Sequence, residues 1–156
     1  MTIIIRDATS ADAAIITTFN ATMAEETEDK ALDCDTLLAG VSALLQDDTK
    51  GHYWLACDKD LPVGQIMVTW EWSDWRNGYF WWIQSVYVAP SHRRRGVFRA
   101  LYDTVENAAK QSQNAVGIRL YVEKDNANAI STYDAIGFTD AGYLLLERLM
   151  EPEQGI

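Results

Sequence analysis

The sequence contains few cysteines and no long hydrophobic run, and each absence excludes a class of protein. Cys34 and Cys57, its two cysteines, are too few for a disulfide framework and lack the spacing of metal ligands. No apolar run reaches the roughly 18 residues that a membrane-spanning helix needs. The first residues lack the basic start and the cleavage pattern of a signal peptide. We therefore expect a cytoplasmic protein without a membrane segment or a metal site.

Basic residues are also scarce, and their distribution is uneven. The chain has 13 lysines and arginines against 23 aspartates and glutamates, a formal net charge of −10, which argues against bulk nucleic-acid binding. Residues 93–99 nevertheless carry four arginines and no acid, whereas residues 25–35 carry six acids and one lysine. This pattern favours a small-anion site at the arginines, with two ordinary solvated surfaces as the alternative.

Length and composition predict one domain. The chain has 156 residues, close to the roughly 150 typical of a domain, and its hydrophobic fraction of 48% and charged fraction of 23% are ordinary for a globular protein. The sequence shows no internal repeat, linker or low-complexity segment. We expect residues 1–150 to form the domain and residues 151–156 to form a C-terminal tail.

The order of the predicted elements indicates an α/β (α+β) fold. Runs of β-branched or alternating residues predict strands, and apolar residues at helical spacing predict helices. Together they imply one mixed sheet flanked by helices. The predicted strands are 2–6, 53–57, 63–72, 79–88, 116–122 and 143–150, and the predicted helices begin near residue 11 or span 36–45, 97–111 and 126–136. The buried face of helix 97–111 is predicted to consist of Phe98, Leu101, Tyr102, Val105 and Ala108.

Residues 86–98 form a predicted strand, a basic loop and the first turn of a helix. A helix N-terminus leaves backbone N–H groups unpaired and carries the positive end of the helix dipole, so it can bind a phosphate. Gly96 allows the backbone to approach a ligand closely, and the arginines add charge and forked donors. No Gly-Lys-Ser/Thr sequence follows, so this is not a Walker loop. A diphosphate is the ligand that we expect here.

Two motifs, about 30 residues apart with a predicted strand between them, are more specific. Residues 87–90 and 93–98 match Tyr-Val-x-Pro followed by Arg/Gln-x-x-Gly-x-Gly/Ala, except at Phe98. Residues 126–138 match Asn-x-x-Ala-x-x-x-Tyr-x-x-x-Gly-Phe. Both resemble the GNAT superfamily of acetyl-CoA-dependent N-acetyltransferases, and the Ile-Arg-x-Ala-x-x-x-Asp pattern of residues 5–12 is similar to the opening of that family. The resemblance covers essentially the whole chain.

The resemblance implies a single-domain fold with a mixed central sheet, a splayed pair of strands and about four helices, with acetyl-CoA as cosubstrate. The backbone of 94–98 would bind the diphosphate, and strand 86–88 would pair with the pantetheine amides opposite the splayed strand 116–122. Phe98 replaces a small residue of the family, so either the local path differs or its ring turns into the core. The implied cosubstrate-binding residues are Val86, Tyr87, Val88, Arg93, Arg94, Arg95, Gly96, Val97, Phe98, Asn126, Ala129 and Tyr133.

The resemblance also places the hydroxyl of Tyr133 at the sulfur of coenzyme A. Direct attack of a neutral amine on the thioester expels a thiolate. A tyrosine with a pKa of about 10 is a weaker acid than a thiol at about 8.5, so full proton transfer is uphill by about 2 kcal/mol. We therefore expect a hydrogen bond to the developing thiolate, with simple helix packing as the alternative role. Asn126 would cap its helix and touch the pantetheine arm, or only cap the helix.

The general base departs from the family. Many relatives have a glutamate two or three residues before the Tyr-Val of the central strand, where this sequence has Gln84 and Ser85, and neither accepts a proton at neutral pH. Glu71, on the adjacent predicted strand, is the first candidate, with a solvated surface residue as its alternative. Water or the absence of a dedicated base are further alternatives, as are the carboxylates of Glu25, Glu26, Glu28 and Glu123.

The predicted function is transfer of an acetyl group to a primary amine of a small acceptor in a ternary complex. The hairpin of residues 70–88 is loosely similar to the small-amine branch that includes polyamine acetyltransferases. Some of Trp70, Trp72, Trp75 and Trp82 are expected to line the acceptor cleft, and aromatic walls with the acids of residues 25–35 would suit a cationic amine. The alternative is a non-catalytic acyl-CoA-binding sensor or regulatory domain on the same fold. A homodimer stays open, and a nucleic-acid binder is disfavoured by the negative charge.

Overall fold

The computed structural model describes residues 2–151, and within them the chain forms five strands and four α-helices. It divides into two compact units, of which the first, through Leu120, contains the sheet and three helices, and the second begins at Tyr121. The elements are β1 (Ile3–Asp7), α1 (Ala13–Glu28), α2 (Cys34–Leu45), β2 (His52–Asp58), β3 (Leu61–Ser73), β4 (Gly78–Val88), α3 (Val97–Gln111), β5 (Ala115–Leu120) and α4 (Ala127–Ala135).

The sheet is mixed, as the sequence predicts. Its strand order is β1-β2-β3-β4-β5, with antiparallel pairs throughout except for the parallel pair of β4 and β5. The pairing of β4 with β5 ends at Ile83 and Leu120, although β4 continues to Val88. We call this end point the fork, and residues 84–88 of β4 the open edge. Pairing along this edge of β4 stops because β5 ends at Leu120, and a divergence of the two strands stays a prediction.

Helices cover both faces of the sheet in the first unit. On one face, Ile16 of α1 and Val41 of α2 pack with Leu55 in a buried cluster. On the other face, a Cβ at Gly64 would lie within 3.5 Å of Val97 and Leu101 of α3. Burial of each such large side chain stabilises the fold by about 1.5–3 kcal/mol. Because neighbouring residues of a strand point to opposite faces, β3 joins the two layers of the core.

Helix α3 shows the clearest amphipathic pattern, and its buried face differs slightly from the predicted one. Leu101, Tyr102 and Val105 are buried as expected. Val97 begins this face, whereas Phe98 is only half-buried and packs its ring against Tyr102 with a centroid distance of 6.3 Å. The predicted Phe98 and Ala108 are therefore replaced on the buried face by Val97 and Ala109.

The predicted last strand, 143–150, is wrong. This stretch contains no strand, and its apolar side chains are exposed, with Leu144 88% and Leu146 86% accessible. The prediction used apolar composition, which does not supply the neighbouring strand that a ladder of hydrogen bonds requires. Strand β5 also ends at Leu120, two residues earlier than predicted.

Two further expectations concern the chain ends and membranes. The predicted tail 151–156 lies, apart from Glu151, outside the described residues, and the extent of the domain stays a prediction. No helix in the described part of the chain has both the length and the apolar character needed to cross a membrane.

Candidate active site

The basic segment forms a turn that presents the N-terminus of α3. Gly96 is the residue before the helix, and its φ of 81° lies in the left-handed region that glycine adopts without strain. A Cβ at this position would meet no atom within 4 Å, so space for a ligand lies next to the backbone. The first N–H groups of α3 have no partner within the helix, and the dipole adds positive potential. We call residues 93–98 the anion loop.

A cleft of about 270 Å³ lies at this turn. Its walls combine cationic side chains with the backbone of the helix start, which is the chemistry that a phosphate group requires. Of the site residues predicted at 93–98, all except Arg95 line this cleft, together with Val88 at the end of β4. The lining residues are Val88, His92, Arg93, Arg94, Gly96, Val97, Phe98 and Arg99.

The Arg93 side chain turns away from the helix start and lies across the end of β4. Its Nη2 contacts Oε2 of Glu26 on α1 at 2.7 Å, and its Nε donates to the Val88 carbonyl at 2.8 Å. The guanidinium also lies over the ring of Tyr87, 5.6 Å from the centroid. These residues line a second cleft of about 470 Å³, together with Met23 and other residues of α1 and β4.

His92 ties the start of the anion loop to the rest of the sheet. Its Nε2 lies 2.9 Å from Oδ2 of Asp58 at the end of β2, and its Nδ1 lies 2.7 Å from Oγ of Ser91. The hydrogen bond from His92 lowers the pKa of the Asp58 carboxyl. No local sequence pattern predicts this pair, because its members lie 34 residues apart.

The open edge of β4 exposes alternate backbone groups. Ala89 donates its N–H to the Val63 carbonyl, so Ala89 bonds to β3 and the next residue back, Val88, directs its backbone groups away from β3. The same alternation directs the backbone of Val86 to the open edge and that of Tyr87 to β3. The predicted pantetheine strand therefore directs the backbone groups of Val86 and Val88 to the open edge, where the Val88 carbonyl already accepts from Arg93.

A β-bulge separates the open edge from the paired part of β4. Met67 opposes Ser85 and Val68 opposes Ile83, so Gln84 is the extra residue. Gln84 is exposed and donates its side-chain N–H to Oγ1 of Thr69 at 3.1 Å. A bulge kinks its strand and re-aims the neighbouring side chains, and here it coincides with the fork.

Ser85 belongs to a buried polar network rather than to the cleft surface. Its Oγ donates to Oδ1 of Asn20 at 2.9 Å and accepts from Nε2 of Gln65 at 3.1 Å. Asn20 also donates to the hydroxyl of Tyr53, whose pKa is raised by burial. This network joins α1 to three strands, and it was not predicted because it depends on tertiary packing.

Glu71 lies beside the fork, but its carboxylate is already engaged. Oε1 of Glu71 accepts from Nε1 of Trp82 at 3.2 Å and contacts Nη1 of Arg119 at the same distance. The Arg119 guanidinium lies 3.5 Å from the centroid of Phe80. Trp82 and Arg119 are paired residues of β4 and β5, one position before the last pair at the fork.

The tryptophans proposed as acceptor walls divide between the two faces of the sheet. Trp82 opposes Thr69 and shares its face with Glu71. Trp70 and Trp72 point to the other face, where Trp72 is 52% exposed and Trp75, beyond the strand, is 87% exposed. The strand period therefore keeps the four side chains from forming one wall, and the expectation that some of them line the acceptor cleft stays a prediction.

The second unit contains the other predicted residues. Asn126 caps α4, since its Oδ1 accepts from the backbone N–H of Ala129 at 3.1 Å, as predicted. Tyr133 is half-buried in the same helix and packs against Phe138 with a centroid distance of 5.7 Å. Burial raises the pKa of Tyr133, so its hydroxyl keeps its proton at neutral pH.

Metal ligands are not grouped in the part of the chain that the structure describes. Among residues 2–151, no cluster of three or more histidine, cysteine, aspartate or glutamate side chains is arranged to hold an ion.

Comparison with solved structures shows how widely this fold is used. A structure of a transcriptional regulator from Bacillus halodurans C-125 has a TM-score of 0.81 at 18% identity, covering 95% of this chain and 100% of that one. A structure of an aminoglycoside N-acetyltransferase in complex with CoA has a TM-score of 0.78 at 16% identity, covering 96% and 95%. At these identities the likeness concerns the fold alone.

A nearer relative and a family model are more specific. A structure of a possible acetyltransferase from Clostridium difficile 630 has 46% identity and a TM-score of 0.91, covering 97% of this chain and 100% of that one. No curated protein sequence matches. The model of the acetyltransferase (GNAT) family matches residues 15–138. The chain therefore belongs to the GNAT family of acetyltransferases, and its cosubstrate is acetyl-CoA.

Proposed function

We propose that this protein transfers the acetyl group of acetyl-CoA to a primary amine of a small acceptor, by direct attack in a ternary complex. The observation that carries the proposal is the continuity of two binding features. The open edge of β4 leads directly into the anion loop, which ends at the glycine-capped start of α3. One element would bind an amide-containing arm, and the other would bind a diphosphate.

The dimensions of the open edge suit the donor. The four residue steps from Gln84 to Val88 span about 13 Å at about 3.3 Å per residue. A diphosphate bound at the N–H groups of residues 94–98 would therefore direct an extended pantetheine arm along Val88 and Val86 toward the fork. The side chains of Arg94 and Arg95 add positive charge at the diphosphate end.

The reacting thioester would then lie at the fork. The neutral amine nitrogen forms a bond to the acetyl carbon, the carbon–sulfur bond breaks, and the sulfur leaves with its electron pair as a thiolate. The nitrogen then loses the extra proton that it carries after the attack, and this proton goes to the thiolate or to water. Tyr133 would donate a hydrogen bond to that sulfur, and its raised pKa favours this donor role over full proton transfer. On the family resemblance alone, Asn126 and Ala129 are further proposed contacts of the pantetheine arm.

The proton of the acceptor ammonium needs a destination. Gln84 and Ser85 do not accept protons at neutral pH, and the buried hydroxyl of Ser85 is hydrogen-bonded to Asn20 and Gln65. We propose Glu71 as the acceptor of this proton, because it lies beside the fork. Arg119 and Trp82 hold its Oε1, and the incoming ammonium would approach the other oxygen.

An acceptor screen tests the proposal. Acetyl-CoA is offered with polyamines, aminoglycosides and amino-acid amines, and thiol release is measured. We expect release with at least one amine, and we expect Tyr133→Phe to lower kcat by about a hundredfold, as for loss of one transition-state hydrogen bond, while coenzyme A still binds. Unchanged turnover in Tyr133→Phe would remove that role.

The second candidate is a non-catalytic acyl-CoA sensor, and the observation in its favour is the pair Gln84 and Ser85 in place of an acid. It predicts tight coenzyme A binding without thiol release for any amine. The same screen distinguishes the two candidates. A homodimer remains a further proposal, to be checked by light scattering.

A further inference from the structure

Arg93 is the first residue of the anion loop, yet two of its donor nitrogens, Nε and Nη2, bind protein groups. Nε binds the Val88 carbonyl at 2.8 Å, and Nη2 binds Glu26 at 2.7 Å. The Arg93 side chain is 44% exposed and that of Glu26 is 37% exposed, so the pair lies at the rim of the larger cleft. Its guanidinium also lies over the Tyr87 ring, which fixes its direction along the sheet.

The Val88 carbonyl, which accepts from Arg93, shows where the open edge ends. Val88 directs its backbone groups away from β3, so its carbonyl is the last acceptor of the open edge before the chain turns at Pro90. Since Arg93 occupies this acceptor, the arm of a ligand is left with the N–H of Val88 and both backbone groups of Val86. The arginine thus marks where the groove ends and the anion loop begins.

We propose that Arg93 is a positioning residue that closes the end of the open edge and fastens it to α1 through Glu26, rather than a ligand of the diphosphate. This inference rests on the proposed function, because it assigns a role within the same donor site. It separates Arg93 from its neighbour Arg94, whose exposed side chain belongs to the diphosphate end.

Binding to two ligands separates the roles without knowledge of the acceptor. One ligand is coenzyme A, and the other is 3′-phospho-ADP, its nucleotide half, which retains the diphosphate but lacks the pantetheine arm. Arg93→Met keeps the aliphatic stem and removes the donors, and we expect it to raise the Kd of coenzyme A about tenfold while the Kd of 3′-phospho-ADP stays unchanged. Arg94→Met is the matched control, and it should weaken both ligands by the same factor.

Glu26→Gln distinguishes the two possible roles of Arg93, because they predict changes of opposite sign in the Kd of coenzyme A. If Glu26 holds Arg93 in a positioning role, this variant raises the Kd of coenzyme A about threefold and leaves 3′-phospho-ADP unchanged. If Glu26 instead withholds a phosphate ligand, the variant frees Arg93 and both ligands bind more tightly. Glu26 is partly exposed and the change is isosteric, so this variant carries the test if Arg93→Met fails to fold.

The failures are distinguishable. Equal weakening of both ligands by Arg93→Met, no effect on either ligand, or tighter binding in Glu26→Gln would overturn the inference and leave the proposed function intact. Failure of the wild-type protein to bind coenzyme A at all would overturn the proposed function and the inference with it. Thermal unfolding of each variant checks that any loss of binding occurs in folded protein.

Discussion

The paired half of β4 (residues 79–83) and its open half (residues 84–88) belong to one strand but have different roles. Residues 79–83 have neighbours on both edges, and their aromatic rings pack against tryptophans of β3 or against Arg119. Residues 84–88 have β3 on one edge, while on the other β5 has ended, so backbone groups take the place of side chains as the available chemistry. The bulge at Gln84 separates the halves. A strand can thus serve as core and as binding surface when one neighbour ends early.

The largest expected effect comes from crowding the paired half. A Cβ at Gly78 would lie 2.5 Å from Cγ1 of Val116 and 2.7 Å from the Asn114 carbonyl, and the backbone atom cannot move aside easily. We expect Gly78→Ala to lower the free energy of unfolding by about 3 kcal/mol, measured by urea denaturation. Gly40→Ala is the control, because nothing lies within 4 Å of that Cβ in α2, and it should be neutral or slightly stabilising. A cost below 1 kcal/mol at Gly78 would contradict the tight pairing.

Glu71→Gln tests whether the paired half takes part in the chemistry. If Glu71 accepts the ammonium proton, the variant lowers kcat by about a hundredfold, and the acidic limb of the pH–rate profile disappears. Wild-type activity should fall on acidification, because a protonated carboxyl cannot act as a base. A variant that keeps the acidic limb would exclude Glu71 as the general base. Proton transfer to water, or binding of the amine in its neutral form, would then remain as the alternatives.

Sequence patterns predict the features that depend on neighbouring residues. The glycine before α3, the Asn126 cap and the amphipathic face of α3 were all predicted, because each is encoded within one or two helical turns. The order of the elements also gives the mixed sheet. Residue types at fixed spacing then suffice to indicate the diphosphate end of the site.

Features that join distant segments escape such analysis. The ion pair of Arg93 with Glu26 spans 67 positions, and the network around Ser85 draws on four elements. The failed strand at 143–150 has the same origin, since a strand needs a partner that its own sequence does not specify. Phe98 is an intermediate case. Its place in the motif can be predicted from neighbouring residues, but the half-buried position of its ring depends on packing against Tyr102.

Ser85→Ala tests whether the buried hydrogen-bond network under residues 84–88 stabilises the fold. The change removes a hydroxyl that bonds Asn20 and Gln65, and it leaves buried polar groups less satisfied, so we expect a cost of about 1–2 kcal/mol in the free energy of unfolding. Because Ser85 contributes to the network and not to the cleft surface, the Kd of coenzyme A should change little. Ser91→Ala, at an exposed hydroxyl, is the matched control and should cost less. Equal costs would show that the buried network does not support the open edge.

The smallest expected effect concerns the contact between His92, which follows residues 84–88, and Asp58 at the end of β2. Asp58→Asn removes the carboxylate that binds His92, and it should raise the Kd of coenzyme A about threefold through a looser anion loop. The lowered pKa of Asp58 determines how its contribution to the stability of the fold changes with pH. Its stabilising contribution is present above the ordinary aspartate pKa of about 3.9 and is lost as the pH falls through the lower value of the folded protein. The difference in thermal unfolding midpoint between wild type and Asp58→Asn should therefore be present at pH 6 and shrink on acidification, whereas a difference that grows toward low pH would contradict the pair.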